Sequence, residues 1–279
     1  MQKRVAAIHD ISCFGKCSLT VALPIISAAG IECAAIPTAI LSTHTGGFSG
    51  YTFRDLTDDI LPVAEHWKKE NISVDAVYTG YLGSKEQIEI VKNAVSLIKN
   101  DDTLLIVDPV MADHGKLYGG FPEDFPMEMK KLCQIADIIT PNFTEAAFML
   151  GEEYKAGPYS KEYVEDILLK LKAMCKENCK IVLTGVCFDE TEMGAACFED
   201  GKISYVFSKY VDAAYHGTGD VFTSALTCGI LNGKSLSESA QIASDFTADC
   251  IKLTKEEYPY MTYGVNFEAN LIKLIECLK

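Results

Sequence analysis

Short apolar runs alternate with helix-like segments along almost the whole sequence, and this order restricts the fold more than any other feature. Apolar runs rich in β-branched residues predict strands at 5–8, 33–38, 76–79, 104–107, 138–139 and 180–184. Helical patterns occur at 18–29, 56–69, 84–99 (with Ser84 and Gln87 as a capping box), 127–135, 144–150, 163–176, 237–253 and 267–278, and a further helix is expected after Gly217. Two strand-like runs within 195–211 flank Asp200-Gly201, a pair typical of a type I′ hairpin.

Strands that alternate with helices form a mostly parallel sheet, because each crossover helix packs back onto a face of that sheet. We therefore expect an α/β fold of three layers, with helices on both faces of a mostly parallel sheet. A chain of 279 residues is long enough for one large α/β domain and short for two of average size. We expect a single domain over residues 1–279.

Composition and charge disfavour several classes of protein. The hydrophobic fraction of 48% permits a full core and disfavours disorder. The formal net charge of −14 disfavours binding of nucleic acid or an anionic membrane through a broad basic face. Backbone N–H groups can still bind phosphate locally, so we expect small-molecule partners, no nucleic acid and no membrane.

The 11 cysteines are odd in number and scattered along the chain. Cys13/Cys17 and Cys175/Cys179 have C-x3-C spacing, but neither has a second His/Cys pair at zinc-finger spacing, so free thiols are favoured over a metal site. The charged start of the chain becomes polar again by residue 9, too soon for a signal peptide, and no run reaches transmembrane length. We expect a soluble protein of the reducing cytoplasm.

Polar residues and glycines stand where the predicted parallel strands end. Ligands of open α/β sheets bind at the carboxyl ends of the strands, so these residues form the candidate site. They are Asp10, Thr38, Gly80 with Tyr81, Asp108, Asn142 with Glu145, and Thr184 with Gly185. A set of this kind exceeds what the packing of a sheet requires.

The most informative segment is Gly217-Thr218-Gly219-Asp220, which precedes a helix-like run. Its two glycines permit a tight turn and a close approach of the backbone to a ligand. The first N–H groups of a helix are unpaired and lie at the positive end of its dipole, so this turn suits a phosphate. The sequence leaves two interpretations of Asp220 open: a favourable partner of the helix dipole, or a general base beside a bound phosphoryl group.

Asp108 and Glu145 suggest a magnesium site, because Mg²⁺ prefers oxygen ligands and keeps several waters that two carboxylates can hold. Both residues also have a structural interpretation. An aspartate before a proline favours a turn, and Glu145 can close a capping box opened by Asn142. Thr184-Gly185 is likewise either a strand end or a place where a nucleotide phosphate approaches the backbone.

The histidines carry weaker signals. His44 and Thr45 lie in a glycine-rich loop over residues 43–50, where they either bind a polar edge of a substrate or are solvated. His9 and His216 flank the candidate segments without a visible partner, so we interpret both as structural or supporting residues.

Three common motifs do not occur in the sequence: the Walker pattern G-x4-G-K-[ST], a G-x-G-x-x-G after the first strand, and a G-x-S-x-G elbow. Their absence disfavours P-loop enzymes, the usual dinucleotide-dependent dehydrogenases and α/β-hydrolases.

Four segments together resemble the pyridoxal kinase branch of the ribokinase-like superfamily. Gly217-Thr218-Gly219-Asp220 is similar to the anion-hole and base signature of that superfamily. The segments that narrow the resemblance are Gly80-Tyr81-Leu82-Gly83-Ser84, Asp108-Pro109-Val110-Met111 and Pro141-Asn142-x-x-Glu145. The resemblance covers residues 5–253 and implies a ribokinase-like fold without the separate lid domain of sugar kinases.

The resemblance implies ATP-dependent phosphorylation of the 5′-hydroxymethyl group of pyridoxal, pyridoxamine or pyridoxine. Asp220 would be the base, and N–H groups of Gly217, Thr218 and Gly219 would stabilise charge on the γ-phosphoryl group. The other implied roles are binding of Mg²⁺, largely through water, by Asp108 and Glu145, contact with the ATP phosphates by Asn142, Thr184 and Gly185, and substrate binding by Thr45 and Tyr81. The family also implies a homodimer and allows a monovalent cation.

Two positions depart from the family pattern. Many pyridoxal kinases have serine where this chain has Asp10, an acid that would bind a ring nitrogen or the 3-hydroxyl group and that leaves the preferred vitamer open. A family lysine appears here as Gly185, so that phosphate contact is lost or supplied elsewhere.

Two alternative functions stay open on the sequence. One is a kinase of the same superfamily for hydroxymethylpyrimidine or another small molecule, although sugar kinases would need the missing lid. The other is a vitamer-binding protein that keeps the fold without catalysis, which the intact segment Gly217–Asp220 disfavours.

Overall fold

The computed structural model describes residues 2–258 and 260–279. The strands are β1 (Arg4–Ser12), β2 (Glu32–Leu41), β3 (Phe53–Asp55), β4 (Ala76–Thr79), β5 (Leu104–Val107), β6 (Ala112–Asp113), β7 (Lys116–Leu117), β8 (Ile138–Ile139), β9 (Lys180–Val186), β10 (Glu192–Glu199) and β11 (Lys202–Lys209). The helices are α1 (Leu19–Ala28), α2 (Thr57–Lys69), α3 (Lys85–Ile98), α4 (Phe125–Cys133), α5 (Phe143–Leu150), α6 (Lys161–Met174), α7 (Thr218–Leu231), α8 (Leu236–Glu257) and α9 (Leu271–Leu278), which follows a 3-10 turn at Glu268–Asn270.

Nine of these strands form a sheet in the order β11-β10-β9-β8-β5-β4-β1-β2-β3. The strands from β9 to β2 in this order pair in parallel. The pairs β9–β10, β10–β11 and β2–β3 are antiparallel, so the antiparallel strands lie at the two edges. The predicted mostly parallel sheet is confirmed.

Alternating side chains of the central strands divide the interior into two layers. In β1, Ala6 and Ile8 pack on the side of α2 to α6, whereas Val5 packs on the side of α1, α7, α8 and α9. All three are fully buried. Burial on both faces explains why these strands read as continuous apolar runs rather than alternating ones. Within the described ranges no helix is both long and apolar enough to cross a membrane.

Three short strands lie outside the sequence predictions. All three residues of β3 are exposed, and β6 and β7 form a separate pair of two-residue strands. An exposed edge strand lacks apolar alternation, and a strand of two residues is too short to leave a periodic pattern. These additions are small, and the described residues contain no inserted lid domain.

Two strand boundaries differ from the predictions at candidate site residues. β1 continues to Ser12, so Asp10 lies inside the strand rather than at its end, at a register shift against β2 between His9 and Ile11. β9 likewise runs through Gly185, which has φ 75° and no partner in β10. Both are bulges, which redirect side chains or expose backbone beside a binding site.

The predicted capping box at Ser84 is half formed. Ser84 Oγ accepts the Gln87 N–H at 3.1 Å, but Gln87 Oε1 accepts the Gly83 N–H instead of that of Ser84. The amide of Gln87 also donates to the Thr38 carbonyl at 3.0 Å, and this buried contact draws its side chain away from the cap. The type I′ hairpin at residues 200–201 is confirmed, with φ 49° and 75°.

Candidate active site

The turn that opens α7 is built around Gly217. Its φ of 77° is left-handed, and a Cβ at this position would lie 2.0 Å from the Lys16 carbonyl oxygen. Only glycine fits such a contact at such a backbone angle. No side chain caps this helix end, so the N–H groups of Thr218 and Gly219 are free to bind an anion.

Asp220 lies in the first turn of α7 and is held by main chain. Its Oδ2 accepts the Ser18 N–H at 2.9 Å, whereas Oδ1 is buried without a hydrogen-bond partner in the described part of the chain. Burial raises the pKa of Asp220 to about 7, with the Ser18 bond opposing the rise and the charge of Asp10 adding to it. A carboxylate with one fixed oxygen, one unpartnered oxygen and a pKa near neutrality suits a general base.

Asp108 lies beside this turn, because a Cβ on Gly219 would be 3.8 Å from Asp108 Oδ2. Thr223, three residues after Asp220 on α7, donates its hydroxyl to Asp108 Oδ2 at 3.1 Å and lies 3.1 Å from the hydroxyl of Thr140. Burial and the charge of Asp220 raise the pKa of Asp108 to about 8. The carboxyl groups of Asp108 and Asp220 therefore lie close enough to repel each other when both are ionised.

Glu145 forms the capping box that the sequence allowed as its structural interpretation. Its Oε2 accepts the Asn142 N–H at 2.9 Å, and Asn142 Oδ1 accepts the Glu145 N–H at the same distance. Burial and the nearby charge of Asp108 raise the pKa of Glu145 well above its ordinary value. The amide of Asn142 also donates to the Ala112 carbonyl at 2.9 Å, so both ends of this side chain are used within the protein.

The bulge at Gly185 leaves open backbone next to Asn142. Thr184 forms a parallel bridge with Asn142, and a Cβ on Gly185 would meet nothing within 4 Å. Thr184 turns its hydroxyl to the Pro141 carbonyl at 3.4 Å. The free approach is therefore to the main chain at Gly185, where no side chain stands in the way.

Asp10 and Tyr81 are two further candidate residues, and Asp10 lies near both Tyr81 and Asp220. Asp10 is buried and accepts the Ser12 hydroxyl at 3.0 Å, and burial raises its pKa. Burial and the charge of Asp10 raise the pKa of Tyr81 to about 12. The charge of Asp10 acts on both Asp220 and Tyr81, so Asp10 lies near each of them.

Thr45 is exposed in the loop between β2 and β3. Its neighbour His44 is buried, so the interpretation of His44 as a solvated loop residue is wrong. The imidazole of His44 is 4% exposed, with Nδ1 accepting the Gly46 N–H at 2.9 Å. The glycine-rich loop sequence does not predict this burial, because the ring packs against Gly15 and His216, which are distant along the chain.

Sequence reasoning missed Ser18, Thr140 and Thr223. Thr223 could have been found, since a polar residue three positions after Asp220 shares its helix face. Ser18 acts through its N–H at φ 52°, a backbone property for which the side chain gives no signal.

The residues present fit a hydrated Mg²⁺. Among the described residues, no group of three or more His, Cys, Asp or Glu could hold a metal ion directly. Asp108 and Glu145 are nevertheless buried acids, the charge of Asp108 raises the pKa of Glu145, and the groups acting on the two acids include no cationic side chain. A divalent ion that keeps most of its waters matches such a pair.

Comparisons with known proteins relate the whole chain to small-molecule kinases. The phosphomethylpyrimidine kinase family matches residues 22–263. A Bacteroides thetaiotaomicron protein, provisionally named a phosphomethylpyrimidine kinase and crystallised with pyridoxal, is 36% identical, with a TM-score of 0.90 over 98% of this chain and 96% of its own. The pyridoxal kinase of Lactobacillus plantarum is 30% identical, with a TM-score of 0.90 over 99% and 97%.

Pyridoxal kinase PdxY of Actinobacillus pleuropneumoniae is 29% identical over 83% of this chain and 82% of its own. The family match covers well over half of the chain, and the solved relatives cover nearly all of it. The chain therefore belongs to the phosphomethylpyrimidine kinase family and is a kinase with the ribokinase-like fold.

Proposed function

We propose that this kinase transfers the γ-phosphoryl group of ATP to the 5′-hydroxymethyl group of pyridoxal, pyridoxamine or pyridoxine, with Asp220 as general base. The observation that carries the proposal is the position of Asp220 in the open turn of α7. Its unpartnered Oδ1 accepts the substrate's hydroxyl proton while Ser18 holds Oδ2. The alkoxide that develops attacks the phosphorus in line with the departing ADP oxygen.

The turn of α7 stabilises the charge that develops on the transferred group. The N–H groups of Gly217, Thr218 and Gly219 would donate to the equatorial phosphoryl oxygens as these gain charge, and the uncapped end of α7 supports this role. The open main chain at Gly185, beside Thr184 and Asn142, receives the remaining phosphates. The side-chain nitrogen and oxygen of Asn142 already form hydrogen bonds within the protein. We therefore assign Asn142 to ordering the phosphate-binding region rather than to direct contact with the nucleotide.

Asp108 and Glu145 would hold Mg²⁺, largely through its waters. When bound, the ion neutralises phosphate charge and orients the nucleotide. Thr223 keeps Asp108 turned towards the α7 turn, and the capping box fixes Glu145. A monovalent cation would add to this charge neutralisation.

The substrate ring would lie between Asp10, Thr45 and Tyr81. Support comes from the 36% identical relative crystallised with pyridoxal and from the buried acid at position 10, which suits a ring nitrogen or a 3-hydroxyl group. Hydroxymethylpyrimidine is the second candidate substrate, because the matching family is named for phosphomethylpyrimidine kinases.

We further propose that residues 1–279 act as one kinase domain in a cytoplasmic homodimer. All 11 cysteines, each within the described residues, are free thiols, as expected in a reducing compartment. Phe53 of β3 and the nearby Tyr51 are 48% and 38% exposed at the sheet edge, where a second copy would cover them. Light scattering coupled to size exclusion reads the oligomeric state, and a single unfolding transition supports one domain.

The deciding experiment is a substrate panel with ATP and Mg²⁺. Pyridoxal, pyridoxamine, pyridoxine and hydroxymethylpyrimidine are compared by ADP release, and the 5′-phosphate product is identified by mass. Turnover of the three vitamers supports the proposal, and turnover of the pyrimidine alone supports the second candidate. Binding of vitamers without ADP release would instead indicate a non-catalytic binding protein.

A further inference from the structure

Two imidazole rings join the loops around the site. The ring of His44 packs against Gly15 in the β1–α1 loop (residues 13–18), where a Cβ would lie 2.1 Å from Cδ2 of the ring. The His44 N–H donates to the Phe14 carbonyl at 2.9 Å. His44 therefore fastens the β2–β3 loop (residues 42–52) to the segment whose Ser18 N–H holds Asp220.

The second ring makes the complementary contact from the turn of α7. A Cβ on Gly46 would lie 2.6 Å from Cε1 and Nε2 of His216, so this ring lies directly on the Gly46 backbone. The centroids of the His44 and His216 rings are 5.3 Å apart. Each ring thus occupies space that only a glycine on the facing loop leaves free.

These contacts flank two residues of the proposed mechanism. Thr45 lies between His44 and Gly46, and Gly217 follows His216 directly. The bond from the Gly46 N–H to His44 Nδ1 closes a tight turn around Thr45 and requires Nδ1 to be without a proton. The groups around His44 favour the neutral ring, because burial and the neighbouring His216 lower its pKa against an opposing contribution from the Tyr263 carbonyl.

We propose that His44 is a positioning residue for the phosphoryl acceptor: with His216, it holds the β2–β3 loop in register with the Gly217 turn. This inference rests on the proposed function, because it assigns Thr45 to the acceptor side and Gly217 to the phosphate side. The acceptor then meets the phosphoryl group at a distance that His44 and His216 fix. If His44 had a purely structural role, its replacement would lower Tm and would change the KM for the vitamer and the KM for ATP to the same extent.

Two variants separate the effect of the His44 ring from that of its hydrogen-bond acceptor, Nδ1. His44→Phe keeps a ring but removes the acceptor at Nδ1, whereas His44→Asn removes the ring but keeps an acceptor that reaches the N–H two residues on. KM for the best vitamer, KM for ATP, kcat and Tm are measured for both. We expect His44→Phe to raise the vitamer KM about tenfold with the ATP KM within about twofold, because loss of the Nδ1 acceptor loosens the turn that presents Thr45 to the vitamer. His44→Asn should restore most of that loss.

A steric pair tests the second contact independently of His44. Gly46→Ala places a methyl group against His216 and should raise the vitamer KM, and the double variant Gly46→Ala/His216→Ala, which removes the clash together with the His216 contact, should recover part of the loss. This pair decides the matter even where a His44 variant fails to fold.

Equal rises in both KM values that follow the loss of Tm would overturn the positioning role, as would a double variant no better than Gly46→Ala. A wild-type chain without turnover of any vitamer would overturn the proposed function, and this inference with it. Turnover with unchanged KM in His44→Phe would overturn the positioning role alone.

Discussion

Replacement of Asp220 by asparagine should stabilise the protein while removing its activity. The folded protein buries this carboxyl, so its pKa rises from 3.8 to about 7. Raised pKa means that folding favours the protonated form. The stabilisation from that form is fully present below pH 3.8 and is lost as the pH rises through about 7, so the ionised carboxylate destabilises the fold at pH 8.

The interval between the two pKa values corresponds to roughly 4 kcal/mol, because each unit is worth about 1.4 kcal/mol. Local relaxation and water entry around an ionised buried group reduce this to about 2 kcal/mol. For a chain of this length that is a rise in Tm of about 4 °C. Asparagine keeps an oxygen for the Ser18 N–H, so the variant loses charge without losing this bond.

The assay is thermal unfolding of wild type and Asp220→Asn at pH 8 and at pH 4, without nucleotide or Mg²⁺. We expect the variant to be more stable at pH 8 and the difference to shrink towards zero at pH 4. In the kinase assay the same variant should lose about 10²–10⁴-fold in kcat. A variant that is less stable at pH 8, or stabilised equally at both pH values, would refute the assignment of Asp220 as a desolvated acid.

Three further predictions concern the same site. The acid limb of kcat/KM should have its midpoint near pH 7, where Asp220 loses its proton, and Asp10→Asn should move that midpoint to lower pH because it removes a neighbouring charge; a pH–rate profile that does not move contradicts this coupling. Gly217→Ala should lower Tm and abolish turnover, whereas Gly233→Ala, with a similar φ of 82° and open space around it, should show only a small loss of Tm from backbone strain; equal losses in unfolding scans would be the contrary result. Thr223→Val should raise the Mg²⁺ concentration for half-maximal activity several-fold by removing the hydroxyl bonded to Asp108, and Thr227→Val, a buried neighbour on the same helix, should not; a magnesium titration of both compares them.

Most of the central sheet could be predicted because its strands are buried on both faces. Residues 104–107 and 138–139 are apolar throughout, and their neighbours are helices with clear amphipathic patterns. β3 could not be predicted, since Phe53–Asp55 are exposed and gain their pairing only from the antiparallel edge of β2. The rule is that burial leaves a pattern in the sequence, whereas an edge strand depends on its neighbour.

The candidate site was predictable to the extent that it uses side chains at strand ends. Asp108 follows β5 directly and lies beside the α7 turn, whereas Glu145 lies in the first turn of α5, close enough for the charge of Asp108 to raise its pKa. The burial of His44 was not predictable, because it depends on Gly15 and His216, which are distant along the chain. The bulge that sets Gly185 into the left-handed region was also hidden, since it arises from pairing with β10.

The hydrogen bond from the Ser18 N–H to Asp220 determines which substitutions position 18 can accept. Every amino acid except proline carries this donor, so the bond survives side-chain change as long as the residue tolerates φ 52°. Glycine meets that condition most readily, because the ψ of −134° lies outside the left-handed helical region, and β-branched residues do not meet it. Homologues should therefore differ at position 18 among a few small residues and keep the reaction. Proline at this position should abolish the reaction, because it lacks the N–H that Asp220 accepts.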